Sequence, residues 1–150
     1  MSVAQLTGPV DYVVIEFTGA VPSSRTAQEI LRLVDRGIVR LYDVLVVRTT
    51  PSGTVEVVDP TEDGSEGLTG FADLAWAHSG LLDDGDVQDA GAAIQPGSTA
   101  VLILYENTWA VPFVTAALED GGELVASGRV PAQDVEDALD ALETSTDGKA

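Results

Sequence analysis

The sequence predicts an α/β (α+β) fold: a ferredoxin-like mixed sheet of two βαβ units with additional helices. Three observations point there. Two short, nearly continuous apolar runs, Asp11–Phe17 and Thr99–Glu106, have the pattern of strands covered on both faces. Each is followed by a helical stretch, a glycine stop and a further β-rich run: Gly37 and then Ile38–Arg48 in the first unit, Gly121-Gly122 and then Glu123–Arg129 in the second. The helix ends also align, Leu33-Val34-Asp35-Arg36-Gly37 with Leu118-Glu119-Asp120-Gly121-Gly122. Two such units in one small domain place the two first strands centrally, adjacent and parallel.

Along the chain, Asp11–Phe17 leads into a helix over Ser24–Arg36. That helix has Thr26-x-x-Glu29 as a capping box, an apolar stripe of Ala27, Ile30, Leu31, Leu33 and Val34, and Gly37 as its C′ residue. Ile38–Arg48 and Thr54–Val58 flank the turn cluster Thr50-Pro51-Ser52-Gly53 and read as a hairpin. Asp59–Gly70, rich in glycine and acids, connects the two units, and Phe71–His78 is a short helical stretch. Asp83 or Asp84 caps a helix running to about Ile94 and stopped by Pro96-Gly97. After Thr99–Glu106, Asn107 caps a helix that ends at Gly121-Gly122, where Pro112 implies a distorted first turn or a start near Val111. Glu123–Arg129 is a weaker fifth strand, marked as an edge by Gly128 and Pro131. Pro131 opens the last helix, with Val135, Ala138, Leu139 and Leu142 on one face and Asp134, Glu136, Asp137, Asp140 and Glu143 on the other. One domain is expected over residues 1–143, with an acidic loop at 59–70 and a disordered tail at 144–150.

Composition narrows the function. The 150 residues are 45% hydrophobic, enough to bury roughly two-thirds of the unfolded surface, which excludes a disordered chain. Acids outnumber bases 25 to 7, for a net charge of −18, which argues against nucleic acid or anionic membrane as a partner. With no cysteine there is no disulfide, thiolate nucleophile or zinc–cysteine cluster, and one histidine excludes a multi-histidine metal site within one chain. No cofactor and no metal are expected. No GxGxxG, Walker, HExxH or GxSxG pattern occurs. The N-terminus lacks the basic start and long apolar run of a signal peptide. Apolar runs such as Val101–Leu104 fall far short of the ~20 residues that span a bilayer, so a cytoplasmic protein is expected.

The charge is unevenly placed. Residues 1–50 hold five acids and five arginines, while residues 51–150 hold twenty acids against Arg129 and Lys149. An acidic proteome is the simpler cause, since net charge speaks to solubility rather than fold. The asymmetry also predicts that the near-neutral part, through Ser24–Arg36 or Ile38–Val58, faces other protein while the acidic remainder faces solvent.

Several residues are candidates for chemistry. Glu16 and Glu106 occupy matching places near the carboxyl ends of their strands. On neighbouring parallel strands both would lie at one sheet edge, able to share a proton, bind a cation or divide acid and base roles. Solvated strand ends, or pairing with Arg40 or Arg129, is the plainer reading. Tyr105-Glu106-Asn107-Thr108-Trp109 is the densest polar–aromatic cluster in a chain that is 5% aromatic. Asn107 reads first as a helix cap and Trp109 as strand cover or interface, with a ligand lip as the alternative. The ligand-binding candidates are therefore Glu16, Tyr105, Glu106, Asn107 and Trp109. His78 reads as a helix C-terminal cap rather than as a general base oriented by Asp73 or Asp83. Asp83-Asp84-Gly85-Asp86-x-x-Asp89 lacks calcium-loop spacing and reads as acids at a helix start. No residue is assigned a catalytic role.

The run LLDDGDVQDAGAAIQPGSTAVLILYENTW joins a helix, a Pro-Gly-Ser turn and an A-x-L-x-L-x-E strand. It resembles a bacterial family known only as a domain of unknown function, frequent in actinobacteria and related to a wider stress-associated family. GPVDYVVIEFTG and GGELVASGRVP resemble it as well, so the likeness covers about residues 8–143. The resemblance implies a soluble ferredoxin-like protein with no assigned activity and no catalytic residues to carry over. Where the wider family has a Gly-rich, membrane-like central stretch, this chain has the acidic loop Asp59–Gly70, which argues against a membrane role.

The expected function is non-enzymatic: a self-associating protein with an interaction or stress-related role, its main partner a second copy, alongside an unidentified protein or small-molecule partner. Association is expected to strengthen with moderate salt, because acids outnumber bases in every copy. The alternative is a small-ligand binder or enzyme of the dimeric α+β-barrel kind, its pocket lined by Glu16, Tyr105, Glu106 and Trp109.

Overall fold

β-branched and apolar residues dominate four segments, and these form the sheet. The computed structural model of the chain describes residues 7–18, 24–61 and 69–148. Among them are strands β1 (Val10–Phe17), β2 (Arg40–Thr49), β3 (Val55–Val58) and β4 (Thr99–Glu106). The helices are α1 (Ser24–Asp35), α2 (Thr69–Ala72), α3 (Asp84–Ala93), α4 (Val111–Glu119) and α5 (Ala132–Gly148). Most of the acidic connection, residues 62–68, lies outside the described residues.

The α+β class is the one the sequence predicts. The sheet has the order β1-β4-β2-β3. β4 lies between β1 and β2, the two strands joined by α1, an arrangement compatible with a ferredoxin-like split βαβ unit. The pairing differs from expectation in one respect. β1 and β4 are adjacent but antiparallel, Val10 opposite Glu106 and Phe17 opposite Thr99, and β2 pairs antiparallel with both β3 and β4. The cause is the connection through α3, which delivers the chain to Thr99 beside the end of β1, so that β4 runs back against it.

The fifth strand is a second correction: residues 122–130 form no strand and join no ladder among the described residues. In a ferredoxin-like sheet they would line the outer edge of β1. The nine residues of α4 carry the chain back only about 13 Å at ~1.5 Å per residue. The eight residues of β1 extend about 27 Å at ~3.4 Å per residue. Glu123 and Leu124 stay instead at the corner where β4 ends, lining a cavity with Gly8, Pro9, Val114 and Leu118.

The core has two layers. On one face Ala27 of α1, with Phe71, Leu74 and Ala77 from α2 and the turn after it, packs on Leu41, Val46, Val101 and Ile103. On the other, Val87, Ala90 and Ile94 of α3 and its end cover Val47, Ala100 and Leu102. Leu102 and Val47 are fully enclosed, each worth about 1.5–3 kcal/mol of burial. α3 lies close because Gly91 has no side chain; a Cβ there would collide with Val55 Cγ2 of β3.

Helix limits hold with small shifts. α1 stops before Gly37, but begins at Ser24, which puts Thr26 inside the first turn instead of at the cap. Asp83 caps α3 in a reciprocal box with Asp86, its backbone N–H donating to Asp86 Oδ2 at 2.9 Å and its Oδ1 accepting from Asp86 N–H at 3.0 Å. A 3-10 turn, Thr108–Ala110, precedes α4, which starts at Val111 with Pro112 in the first turn. Asn107 makes no side-chain cap bond there. α2 ends at Ala72, too early for His78 to cap it; the backbone of His78 bridges Asp43 instead. α5 reaches Gly148, so the tail expected to be disordered from Thr144 is helical to that point.

Candidate functional site

The β4 strand ends in a carboxylate that two distant segments grip. Glu106 is 4% exposed. Its Oε2 accepts from the Gly8 N–H at 3.0 Å and its Oε1 from the Tyr42 hydroxyl at 2.6 Å. A β-bulge between Leu41 and Asp43 sets Tyr42 out of register, and bulges re-aim side chains in this way. The bond to Glu106, reinforced by burial and by the carboxylate's charge, holds the Tyr42 hydroxyl protonated above the ordinary phenol range, against the nearby cation Arg40. The Arg40 guanidinium lies 5.5 Å from the Tyr42 ring centre. Gly8 sits so close that a Cβ would strike the Asn107 carbonyl oxygen.

Asn107 continues the latch. Its Nδ2 donates to the Pro9 carbonyl at 3.0 Å and to Asp11 Oδ2 at 2.9 Å, while its Oδ1 accepts from the Trp109 indole at 3.1 Å. Trp109 is exposed and tilts against Phe113, ring centres 5.9 Å apart. Four of the five candidates, Tyr105, Glu106, Asn107 and Trp109, thus share one end of β4.

Glu16 does not join them. Antiparallel pairing puts it opposite Ala100, about 20 Å along the strand from Glu106 at ~3.4 Å per residue. There it accepts from the Gln95 N–H at 2.8 Å, closing the turn into β4. The carboxylate pair expected at one sheet edge is not formed. Tyr105 alternates to the other sheet face, where its hydroxyl accepts from Arg129 Nη2 at 3.3 Å.

Tyr105 also lines a concavity. A groove of about 450 Å³ runs between α1 and the sheet, floored by Val13, Ile15, Leu41, Ile103 and Tyr105 and walled by Ile30 and Leu33, with Arg25 and Glu29 on the helix side. Its size falls within the ~300–1,000 Å³ of ligand clefts. Glu16, Glu106, Asn107 and Trp109 are not among its lining residues. A second cavity, about 350 Å³, includes Val44, Val58, Phe71 and the exposed His78.

Asp43 escaped the sequence reading as a functional group. It is 1% exposed and accepts four bonds: from Ser79 N–H at 2.6 Å, Ser79 hydroxyl at 2.9 Å, Gly80 N–H at 3.2 Å and Leu82 N–H at 2.9 Å. Burial pushes its pKa up, but the bonds from Leu82, Ser79 and Gly80 together outweigh it and hold the carboxyl below the ordinary range. A lone acid within the apolar run Leu41–Val47 was the available signal. Tyr42 and Gly8 had none, since a bulge leaves no mark in the pattern.

Each buried carboxylate therefore holds a segment in place. Glu106 pins the entry to β1, and Asp43 pins the loop before α3. Among the described residues, no group of three or more His, Asp or Glu side chains is placed to hold a metal ion, and no helix is long and apolar enough to cross a membrane. Neither the curated proteins nor the solved structures contain a match to the chain. A family model does match, over residues 6–147, under the description family of unknown function (DUF6325).

Proposed function

We infer that the chain, which belongs to the DUF6325 family of unknown function, is a non-enzymatic, self-associating interaction protein. The observation that carries this reading is apolar surface left uncovered on strongly structured elements. On β1, Val10, Tyr12 and Val14 are 44%, 57% and 37% exposed, and no strand pairs with its outer edge among the described residues. Leu124, Val125 and Val130 are exposed in the segment after α4. An apolar edge strand is a ready template for another chain unless it is covered. The buried carboxylates favour the same reading, since their lone pairs already hold loops. A cytoplasmic setting and a stress-related role belong to the proposal through the charge and the resemblance described above.

Light scattering across concentration and salt tests it. The expected result is a mass above that of one 15.6 kDa chain that grows with concentration. Moderate salt should strengthen the association by screening −18 charges per copy. A single-chain mass under every condition overturns the reading.

The α1 groove favours a second reading, a small-ligand binder. Its lining is mostly apolar with Arg25, Glu29 and Tyr105 at hand, which suits an apolar ligand with one polar end. Native mass spectrometry of the purified protein would show a bound small molecule if this reading holds, and bare chain masses if it does not.

A further inference from the structure

We propose that the groove between α1 and strands β1 and β4 is the docking site for helix α5 of a second copy of this chain; this rests on the self-association proposed above. A sheet face buries itself against helices. Here α1 and the Phe71–Ala77 segment cover one part of the face, and Val13, Ile15 and Phe17 on β1 are left half-buried. The uncovered strip beside α1 is the groove, and it calls for one more amphipathic helix.

α5 has the required surface. Val135, Ala138 and Leu139 recur at helical spacing on one face, and Val135 and Leu139 are 44% and 55% exposed. Asp134, Glu136, Asp137, Asp140 and Glu143 surround that stripe, with no base between Ala132 and Glu143.

Charge selects the same surface. Arg25 and Glu29 of α1 line the groove; Arg32 lies further along the same helix, whose last residue is Asp35, and Arg36 follows it. Arg32 pairs with Glu29 at 3.1 Å with both side chains more than half exposed, while Arg25 reaches the groove. Beyond residue 50 the chain holds twenty acids and two bases, so the flank of α1 is where an acidic helix meets the least repulsion. Such exposed pairs steer orientation more than they add affinity.

The occupant is a second copy because of how α5 departs. Arg129 is tethered to the Tyr105 hydroxyl at the groove, and α5 starts three residues later. Pro131 fixes its own φ and disfavours a helical Val130, and no residue of α5 lines the groove of its own chain. Each described side chain of α5 is exposed. Reciprocal insertion about a two-fold axis fills both grooves and closes the assembly at two copies.

The chain has no cysteine, so introduced cysteines report distance cleanly, since a disulfide needs Cα atoms within about 7 Å. Leu33→Cys on the groove wall and Leu139→Cys on α5 are mixed in equal amounts and oxidised. The expected product is a mixed disulfide dimer, several-fold more abundant than the cross-linked product of either variant alone. Leu139→Asp should return the particle to single-chain mass, with the unfolding curve that the unsubstituted chain shows when dilute enough to be a monomer. A dimeric mass without the mixed cross-link overturns this proposal and leaves self-association standing. A single-chain mass overturns both. Efficient closure of the doubly substituted chain onto itself at high dilution, with single-chain mass, makes its own α5 the occupant and equally overturns the proposal.

Discussion

α3 and α5 are opposite solutions to the same problem. α3 is ten residues long and lined by small residues, yet Val87, Ala90 and Gly91 are buried. α5 has seventeen residues and a stripe of large apolar side chains, yet residues 132–144 are all exposed. The difference lies in approach. Gly91 lets α3 lie against Val55, and the Asp83–Asp86 box fixes where it begins. α5 leaves from an irregular segment after a helix too short to carry it along β1. Apolar content is therefore a poor guide to burial within one chain, and a better guide to what still needs a partner.

The comparison is broken most severely at the loop that leads into α3. Asp43→Ala strips the acceptor from three backbone N–H groups and a hydroxyl, and should cost about 3 kcal/mol in denaturant unfolding, as buried donors left without partners do. The same carboxylate gives a pH signature. Its folded pKa lies below the ordinary value, so its contribution is fully present above the unfolded aspartate pKa and is lost as pH falls through the lower folded one. Asp43→Asn should flatten the acid side of the stability profile; an unchanged acid limb would contradict the assignment.

Next comes Gly91→Leu, which drives a side chain into Val55 and should cost about 2 kcal/mol by overpacking. A neutral result would mean that α3 is free to move away from β3. Asp83→Ala should weaken α3 less, seen as faster amide exchange over its first turn with the sheet unaffected. Smallest is Leu139→Ala, expected to change single-chain stability by no more than about 0.5 kcal/mol, as for an exposed position. A loss of 2 kcal/mol or more would place α5 in the chain's own core.

What was legible in the sequence follows the same division. Nearly continuous apolar runs identified β1 and β4, a β-rich run beside a turn cluster identified β2, and Asp83, Pro112 and Gly37 set helix limits to within a few residues, because these signals are local. Strand direction was not local. The matched positions of Glu16 and Glu106 suggested a shared edge, and antiparallel pairing sends them to opposite ends. The β-rich look of Glu123–Arg129 promised a strand, but a strand needs a neighbour in reach, and the length of α4 decides that. Of the site, Tyr105 through Trp109 was visible as a cluster; Tyr42 entered it through a bulge, which composition does not record. The resemblance pointed to a family of unknown function, and a family of that description matches over residues 6–147.

Amide hydrogen exchange of α3 and α5, followed across protein concentration, tests most directly the claim that α5 finds its cover on a second copy. α3 should be protected at every concentration, because its partners are in its own chain. α5 should exchange quickly when dilute and become protected over Asp134–Asp140 as association sets in, with groove residues Ile30 and Leu33 gaining protection over the same range. Exchange of α5 that stays fast at all concentrations, or slow at all of them, would contradict the account.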